Sequence, residues 1–255
     1  MVELTVDTTG ASRNKHGQEV DVEDDWVYPH LKGGDLSRAD PLSTRRSVIV
    51  TQRHTGDDTR GLETAAPRLW RYLHTHDASF ARRKSSIYRG RPKFAMFGVG
   101  PYTFAPFKVA VSGLHKRPIF HAVGPVEKRP VLFDDTCYFV PTHSPEQCAL
   151  VAALLNGSDA LGLLESLAFE GAKRPVTKQV LQRLDLDALL AHADRANLLD
   201  QASDTFRRLT GRKPRWPIRL EQLLRPDREE FDGINKTNQT LTVSYPVHPV
   251  DPVKV

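Results

Sequence analysis

Six cations fall within the twelve residues from Arg82 to Lys93, namely Arg82, Arg83, Lys84, Arg89, Arg91 and Lys93, and no acid stands among them. Guanidinium and ammonium groups at that density suit phosphate oxygens. Each phosphate they neutralise releases condensed counterions, so the binding they give is salt-dependent. Ser85 and Ser86 are short donors placed between the cations, able to bond phosphate oxygens as well. The chain then runs into a glycine- and aromatic-rich segment, Phe94 to Lys116, where Gly98 and Gly100 shape a loop that carries Tyr102 and Phe104. Rings on such a loop wedge against bases or stack on them, unless one of the two belongs to the core. Lys108 sits inside an apolar run, either at a groove-facing strand position or snorkelling at a sheet edge. Gln52 and Arg53, at the end of SVIVTQ, carry groups that match an adenine or guanine edge. A solvated basic loop is the competing reading of the cations.

The charge distribution favours a polyanion. Residues 1–40 hold nine acids against four Lys/Arg, whereas residues 41–130 hold seventeen Lys/Arg against five acids, within a chain of net charge +5. Charge concentrated in one segment can become a positive field on one face. Two cysteines, Cys137 and Cys148, form no disulfide framework and read as reduced thiols in the cytoplasm. No apolar run approaches the ~20 residues that span a bilayer, so no membrane partner is expected.

Catalytic signatures are missing. Methyl transfer to an amine of a flipped base needs an Asn/Asp-Pro-Pro-aromatic loop, and the chain has no Pro-Pro dipeptide. Phe97-Gly98-Val99-Gly100 is too short for a methyl-donor loop and leads into another strand rather than a helix. A metal-dependent nuclease of the common restriction type needs an acid two residues before a lysine, and no lysine here has one. Asp134-Asp135 is a carboxylate pair with no third ligand indicated by spacing, and a turn whose Asp side chains cap backbone N–H groups is much the stronger reading. His74 and His76 are two apart on a helix and so do not share a face.

The elements that must position these residues are short. Residues 1–25 are polar and acidic and read as a poorly ordered lead-in, frayed or partly strand-like. Ser47–Gln52 reads as a strand before a turn at Gly56-Asp57-Asp58, and Ala65–His76 has helical spacing behind Pro67. Strands are expected at Lys93–Phe97, Phe107–Gly113, Ile119–Val123, Val131–Phe133 and Cys137–Val140. Ser144 as N-cap, Pro145 at the first helical position and Gln147 at the capping-box position start a helix that Asn156-Gly157 ends. Helices over Asp159–Phe169 and Asp185–Leu199 follow. The fold class is therefore α+β: a short-stranded, mainly antiparallel sheet region followed by a helical C-terminal half. One domain is expected over 26–211, with a Pro-rich, loosely held tail over 212–255. Trp70, Tyr138 and Phe139 read as core, and Lys173-Arg174 as a basic pair for phosphate or for a packed partner domain.

Several blocks in one order resemble the C-terminal target-recognition (TaqI-like specificity) region of type IIG and related N6-adenine DNA methyltransferases. They are Val27-Tyr28-Pro29-His30-Leu31-Lys32-Gly33-Gly34-Asp35, then Ala66-Pro67 with Trp70 and Tyr72-Leu73, then Arg83-Lys84-Ser85-Ser86-Ile87-Tyr88. Phe97-Gly98-Val99-Gly100 through Lys116, Asp134-Asp135-Thr136-Cys137-Tyr138-Phe139, Leu154-Leu155-Asn156 and Lys173-Arg174-Pro175-Val176 follow. The resemblance covers roughly two-thirds of the chain, and a run of blocks in order is more specific than any one of them.

It implies duplex DNA as a partner and adds Lys32 and Tyr88 to the DNA-contacting set. In the family, S-adenosylmethionine binding and methyl transfer belong to an N-terminal catalytic domain, and the stretch before Trp26 is too short for one. The expectation is a sequence-specific DNA-binding module of a restriction-modification or phage-defence methyltransferase. It would hold no cofactor, catalytic residue or metal of its own and would act with a catalytic domain or subunit. The alternatives are a divergent metal-dependent nuclease using Asp134 and Asp135, and a subunit whose basic face docks a methyltransferase protein.

Overall fold

The computed structural model describes residues 2–8, 10–38, 46–96, 98–167 and 175–225, together with the backbone of 248–249. In chain order the strands are β1 (Glu3–Val6), β2 (Ser12–Asn14), β3 (Val27–Leu31), β4 (Arg46–Ile49), β5 (Phe107–Ser112), β6 (His121–Val123), β7 (Leu132–Phe133), β8 (Cys137–Thr142) and β9 (His248–Pro249). The helices are α1 (Leu62–Ala65), α2 (Pro67–Thr75), α3 (Asp77–Ala81), α4 (Pro145–Leu155), α5 (Ser158–Leu167), α6 (Lys178–Leu181), α7 (Leu186–His192), α8 (Arg195–Thr210) and α9 (Glu221–Leu224). The α+β class with short, mostly antiparallel strands and a helical second half is as expected. The chain divides into two compact units. One draws on Met1–Ala105 and Pro125–Tyr138, the other on Pro106–Gly124 and Phe139–His248.

In the first unit the strand order is β2-β1-β4-β3-β7, antiparallel except for the β3–β7 pair. Leu4 lies opposite Ser47, Tyr28 opposite Val48, and His30 opposite Leu132. The first 25 residues are thus strand-bearing rather than frayed. β1 sits inside the sheet, Val2 and Leu4 are buried, and Glu23 caps α2 from a distance. Ala66 cannot cap that helix with its side chain, so the Glu23 carboxylate accepts the N–H groups of Arg68 at 2.8 Å and Leu69 at 2.9 Å. A carboxylate there satisfies orphan donors and faces the positive end of the helix dipole. Leu69 and Leu73, four apart on α2, are fully buried, and each contributes about 1.5–3 kcal/mol by leaving water. Trp70 is half-buried against the same core, its ring edge-on to Phe94 at 5.5 Å.

The strand expected at Lys93–Phe97 is absent over its described residues, because side chains take the backbone groups that a neighbouring strand would use. Thr51 Oγ1 donates to the carbonyl of Phe94 at 2.7 Å, Arg83 Nη1 to that of Ala95 at 2.6 Å, and the Met96 N–H donates to Gln52 Oε1 at 2.7 Å. Phe97 lies outside the described residues.

In the second unit the order is β6-β5-β8-β9, with Lys108 opposite Val123 and Ala110 opposite His121. α4 is apolar all round, and every residue from Gln147 to Leu155 is buried. It packs against β5, β6, α7, α8 and α9, which is what an all-round apolar helix requires. Its start follows the sequence: Ser144 Oγ accepts the Gln147 N–H at 3.1 Å, while Gln147 Oε1 reaches back to the N–H of His143 at 2.8 Å. The helix expected over Asp185–Leu199 is two helices. Asp185 caps α7, and Asp194 caps α8 by accepting the N–H groups of Ala196 and Asn197 at 2.9 and 3.1 Å. Tyr138 and Phe139 are core, and both thiols are buried. Burial pushes Cys148 up to about 12, and it raises Cys137 well above its usual value. Lys173-Arg174 and most of the expected tail, from 226 onward, lie outside the described residues.

Candidate nucleic-acid interface

α3 ends at Ala81, and the basic segment then folds in irregular backbone with a single 3-10 turn at Ser86–Tyr88. It surrounds a cleft of about 410 Å³, lined by Asp77 and Phe80 of α3 and by residues between Arg83 and Lys93. Ser85 and Ser86 are on its wall, together with the half-buried Tyr88 ring. The expected six-cation set divides here. Arg82, Lys84, Arg89 and Arg91 are exposed, and no acid among the described residues pairs with them. Arg91 lies over the turn at Gly56, where a β-carbon would stand 2.9 Å from its Nη1. Gly56 has φ +102°, a conformation that side chains avoid, so the turn favours glycine, while the tip of the exposed Arg91 side chain could shift.

The other two cations hold the segment together. Arg83 donates to the buried carbonyl of Ala95, and its guanidinium lies between the rings of Phe80 and Tyr88, 4.4 and 4.5 Å from their centroids. Burial lowers its pKa. Lys93 is paired with Asp77 at 2.7 Å. Arg83 is therefore a strut beneath the cleft rather than the exposed phosphate contact expected from the sequence.

Around the glycine loop, Gly98 has φ +72° and the 3-10 turn Pro101–Phe104 follows. Thr103 Oγ1 accepts the N–H of Gly100 at 3.2 Å. The Tyr102 ring folds back over Gly100, where a β-carbon would stand only 2.7 Å from Cε1. Phe104 packs edge-on to Tyr28 at 5.5 Å, and the Arg53 guanidinium lies 4.4 Å above it. Of the two loop rings, Phe104 belongs partly to the core and Tyr102 is half-exposed.

Three expected contact residues are placed otherwise. Gln52 is 2% exposed, with its amide nitrogen donating to the Asp57 carbonyl and its oxygen accepting from Met96, so neither end faces a base. Lys108 is 1% exposed, with its ammonium 5.8 Å from the Phe139 centroid. At that burial it neither faces a groove nor snorkels, and desolvation brings its pKa down to about 7. Lys32 is ion-paired to Glu3 at 2.6 Å. Arg53, though exposed, has its charge over Phe104 and Tyr28.

A polar network beside Lys32 was not legible in the sequence. Asp35, 2% exposed, accepts the Lys32 N–H at 2.9 Å and the Arg46 guanidinium at 2.6 and 2.5 Å. Burial would raise its pKa, but the Arg46 guanidinium and the Lys32 N–H outweigh it and hold the carboxyl below the usual range. Nearby, Asp134 Oδ1 accepts from the N–H and hydroxyl of Thr136 at 3.1 and 2.5 Å, and Thr136 Oγ1 accepts the Gly33 N–H at 2.8 Å. Asp134 is thus the cap of a turn that ties the Gly33 and Asp134–Thr136 segments together, and no group of three His, Cys, Asp or Glu placed to hold a metal occurs among the described residues.

No protein-family model matches the chain. It is 38% identical over 176 residues to Type II methyltransferase M.NspV of Nostoc sp. (strain ATCC 29411 / PCC 7524), over 69% of this chain and 37% of that protein. The chain is thus related to a type II methyltransferase and spans well under half of that relative's length.

Proposed function

We propose that this chain is the duplex-DNA target-recognition part of an N6-adenine methyltransferase of the type IIG kind, within a restriction-modification or phage-defence system. Methyl transfer would require a catalytic domain or subunit that binds S-adenosylmethionine. The observation that carries this reading is the cleft rim: Lys84, Arg89 and Arg91 line it, with Arg82 next to it in sequence, and all four stand exposed and without an acidic partner among the described residues. Phosphate contacts position a protein on the duplex, and the half-buried Tyr88 ring lining the same cleft is an aromatic group that could meet a base. Kinship with a type II methyltransferase supplies the biological setting.

Filter binding to duplex DNA at two salt concentrations tests the proposal. The affinity should fall steeply with salt, with a log–log slope of about −0.9 for each phosphate contact. No binding at low salt, or binding indifferent to salt, overturns it.

A further inference from the structure

The segment Gly211–Leu220, GRKPRWPIRL, holds Arg212, Lys213, Arg215 and Arg219 and no acid. By composition it belongs to the loose tail, but it is an ordered strap on the second unit. α8 ends at Gly211 in the left-handed conformation (φ +70°), and the next N–H, of Arg212, donates to Thr210 Oγ1 at 3.1 Å. Trp216 then turns inward. Its Nε1 donates to Ser203 Oγ at 2.9 Å, and its ring meets Phe206 edge-on at 6.3 Å. Arg195 Nη2 holds the carbonyl of Ile218 at 2.6 Å, and Leu220 is fully buried. Pro214 and Pro217 stiffen the backbone between these anchors.

The four cations all face solvent. Glu221, exposed, follows the segment directly and forms no ion pair with it among the described residues, and on α8 Asp204 is paired with Arg207 at 2.8 Å while Arg208 is bonded to Thr205 Oγ1. The fold therefore holds four like charges within one short ordered segment, and none of them forms an ion pair among the described residues. Such an arrangement opposes itself unless a polyanion meets it. Because the backbone is already ordered, little conformational entropy remains to be lost when it does. Ile218, 91% exposed, stands among the cations as an apolar group able to meet a sugar or a thymine methyl.

We infer that Gly211–Leu220 is a second phosphate-contact surface for duplex DNA, separate in sequence from the Arg82–Lys93 rim. It rests on the DNA-binding reading above. The test is the salt dependence of binding, followed by fluorescence anisotropy on a labelled duplex, for the unaltered chain and for Arg212→Gln/Lys213→Gln/Arg215→Gln. The variant should lower the log–log slope by about 2.7, at about 0.9 per contact. Between about 50 and 200 mM salt, the unaltered chain should then lose about 40-fold more affinity than the variant. Arg212→Lys/Arg215→Lys keeps the charge and should keep the slope, which separates lost phosphate contacts from lost folding. A triple variant with an unchanged slope overturns the strap and leaves the rim reading standing. If the unaltered chain itself shows no salt-dependent binding, both fall together. Loss of slope in the charge-retaining variant as well as in the triple variant also overturns the inference, because the effect then comes from structure rather than charge.

Discussion

Arg83→Ala separates the two kinds of cation in the basic segment. The side chain donates a charged hydrogen bond to the carbonyl of Ala95, a residue 1% exposed, and losing such a bond costs about 1.5–3 kcal/mol. Its guanidinium also lies 4.4 and 4.5 Å from the Phe80 and Tyr88 rings, contacts of about 0.5–1 kcal/mol each at a partly exposed site. Together these predict a loss of about 3 kcal/mol. At this chain length that is a fall of about 6–12 °C in the melting temperature of the first unit. Arg82→Ala, Lys84→Ala and Arg89→Ala remove exposed side chains and should stay within about 0.5 kcal/mol of the unaltered chain. The ranking should reverse in DNA binding. Each of these three should lower the salt slope by about 0.9, while Arg83→Ala, assayed below its own transition, should leave it unchanged. Urea denaturation and salt-dependent anisotropy on the same four variants give both readouts. If Arg83→Ala keeps its stability within about 0.5 kcal/mol and lowers the slope like its neighbours, the division into strut and rim is wrong.

Asn156→Ala should cost the second unit about 2–4 kcal/mol. Asn156 Oδ1 accepts the Phe120 N–H at 3.0 Å and its Nδ2 donates to the Phe120 carbonyl at 2.8 Å, so hydrogen exchange at the Phe120 amide should quicken along with the earlier urea midpoint. For Asp35, whose folded-state pKa lies below the ordinary 3.8, stability is present above that value and lost as pH falls through the depressed one. Asp35→Asn should therefore lower stability at neutral pH and flatten the acid side of a urea-midpoint profile. Lys108 behaves in the opposite sense. Its folded-state pKa of about 7 lies below the ordinary 10.5, so the unfolded chain binds the extra proton between them and stability rises with pH across that window. Lys108→Met should remove that rise and stabilise the protein most at acid pH, and equal midpoints at pH 6 and 9 in the unaltered chain would count against the buried-lysine account.

The sequence by itself determined what is local. Ser144, Pro145 and Asn156-Gly157 bound α4 because capping and helix termination act within a few residues, and the α+β class followed from short strands between turn residues. The concentration of cations over Arg82–Lys93 was likewise present in the composition, and four of those side chains, Arg82, Lys84, Arg89 and Arg91, are exposed. Only the tertiary structure decided which of those cations are available, because their partners come from elsewhere in the chain: Ala95 for Arg83, Asp77 for Lys93 and, outside the segment, Glu3 for Lys32. The same holds for Gln52, whose amide closes onto Asp57 and Met96, and for Lys108, whose strand turned out to lie wholly inside the second unit. The first 25 residues and the 211–220 strap read as loose because their charge and proline outweigh their apolar content locally. They are ordered because a few residues, Leu4, Glu23, Trp216 and Leu220, find burial or an orphan donor or acceptor on distant segments. Composition fixes how much charge a segment carries; which side chains remain facing solvent depends on contacts that form only when the chain closes on itself.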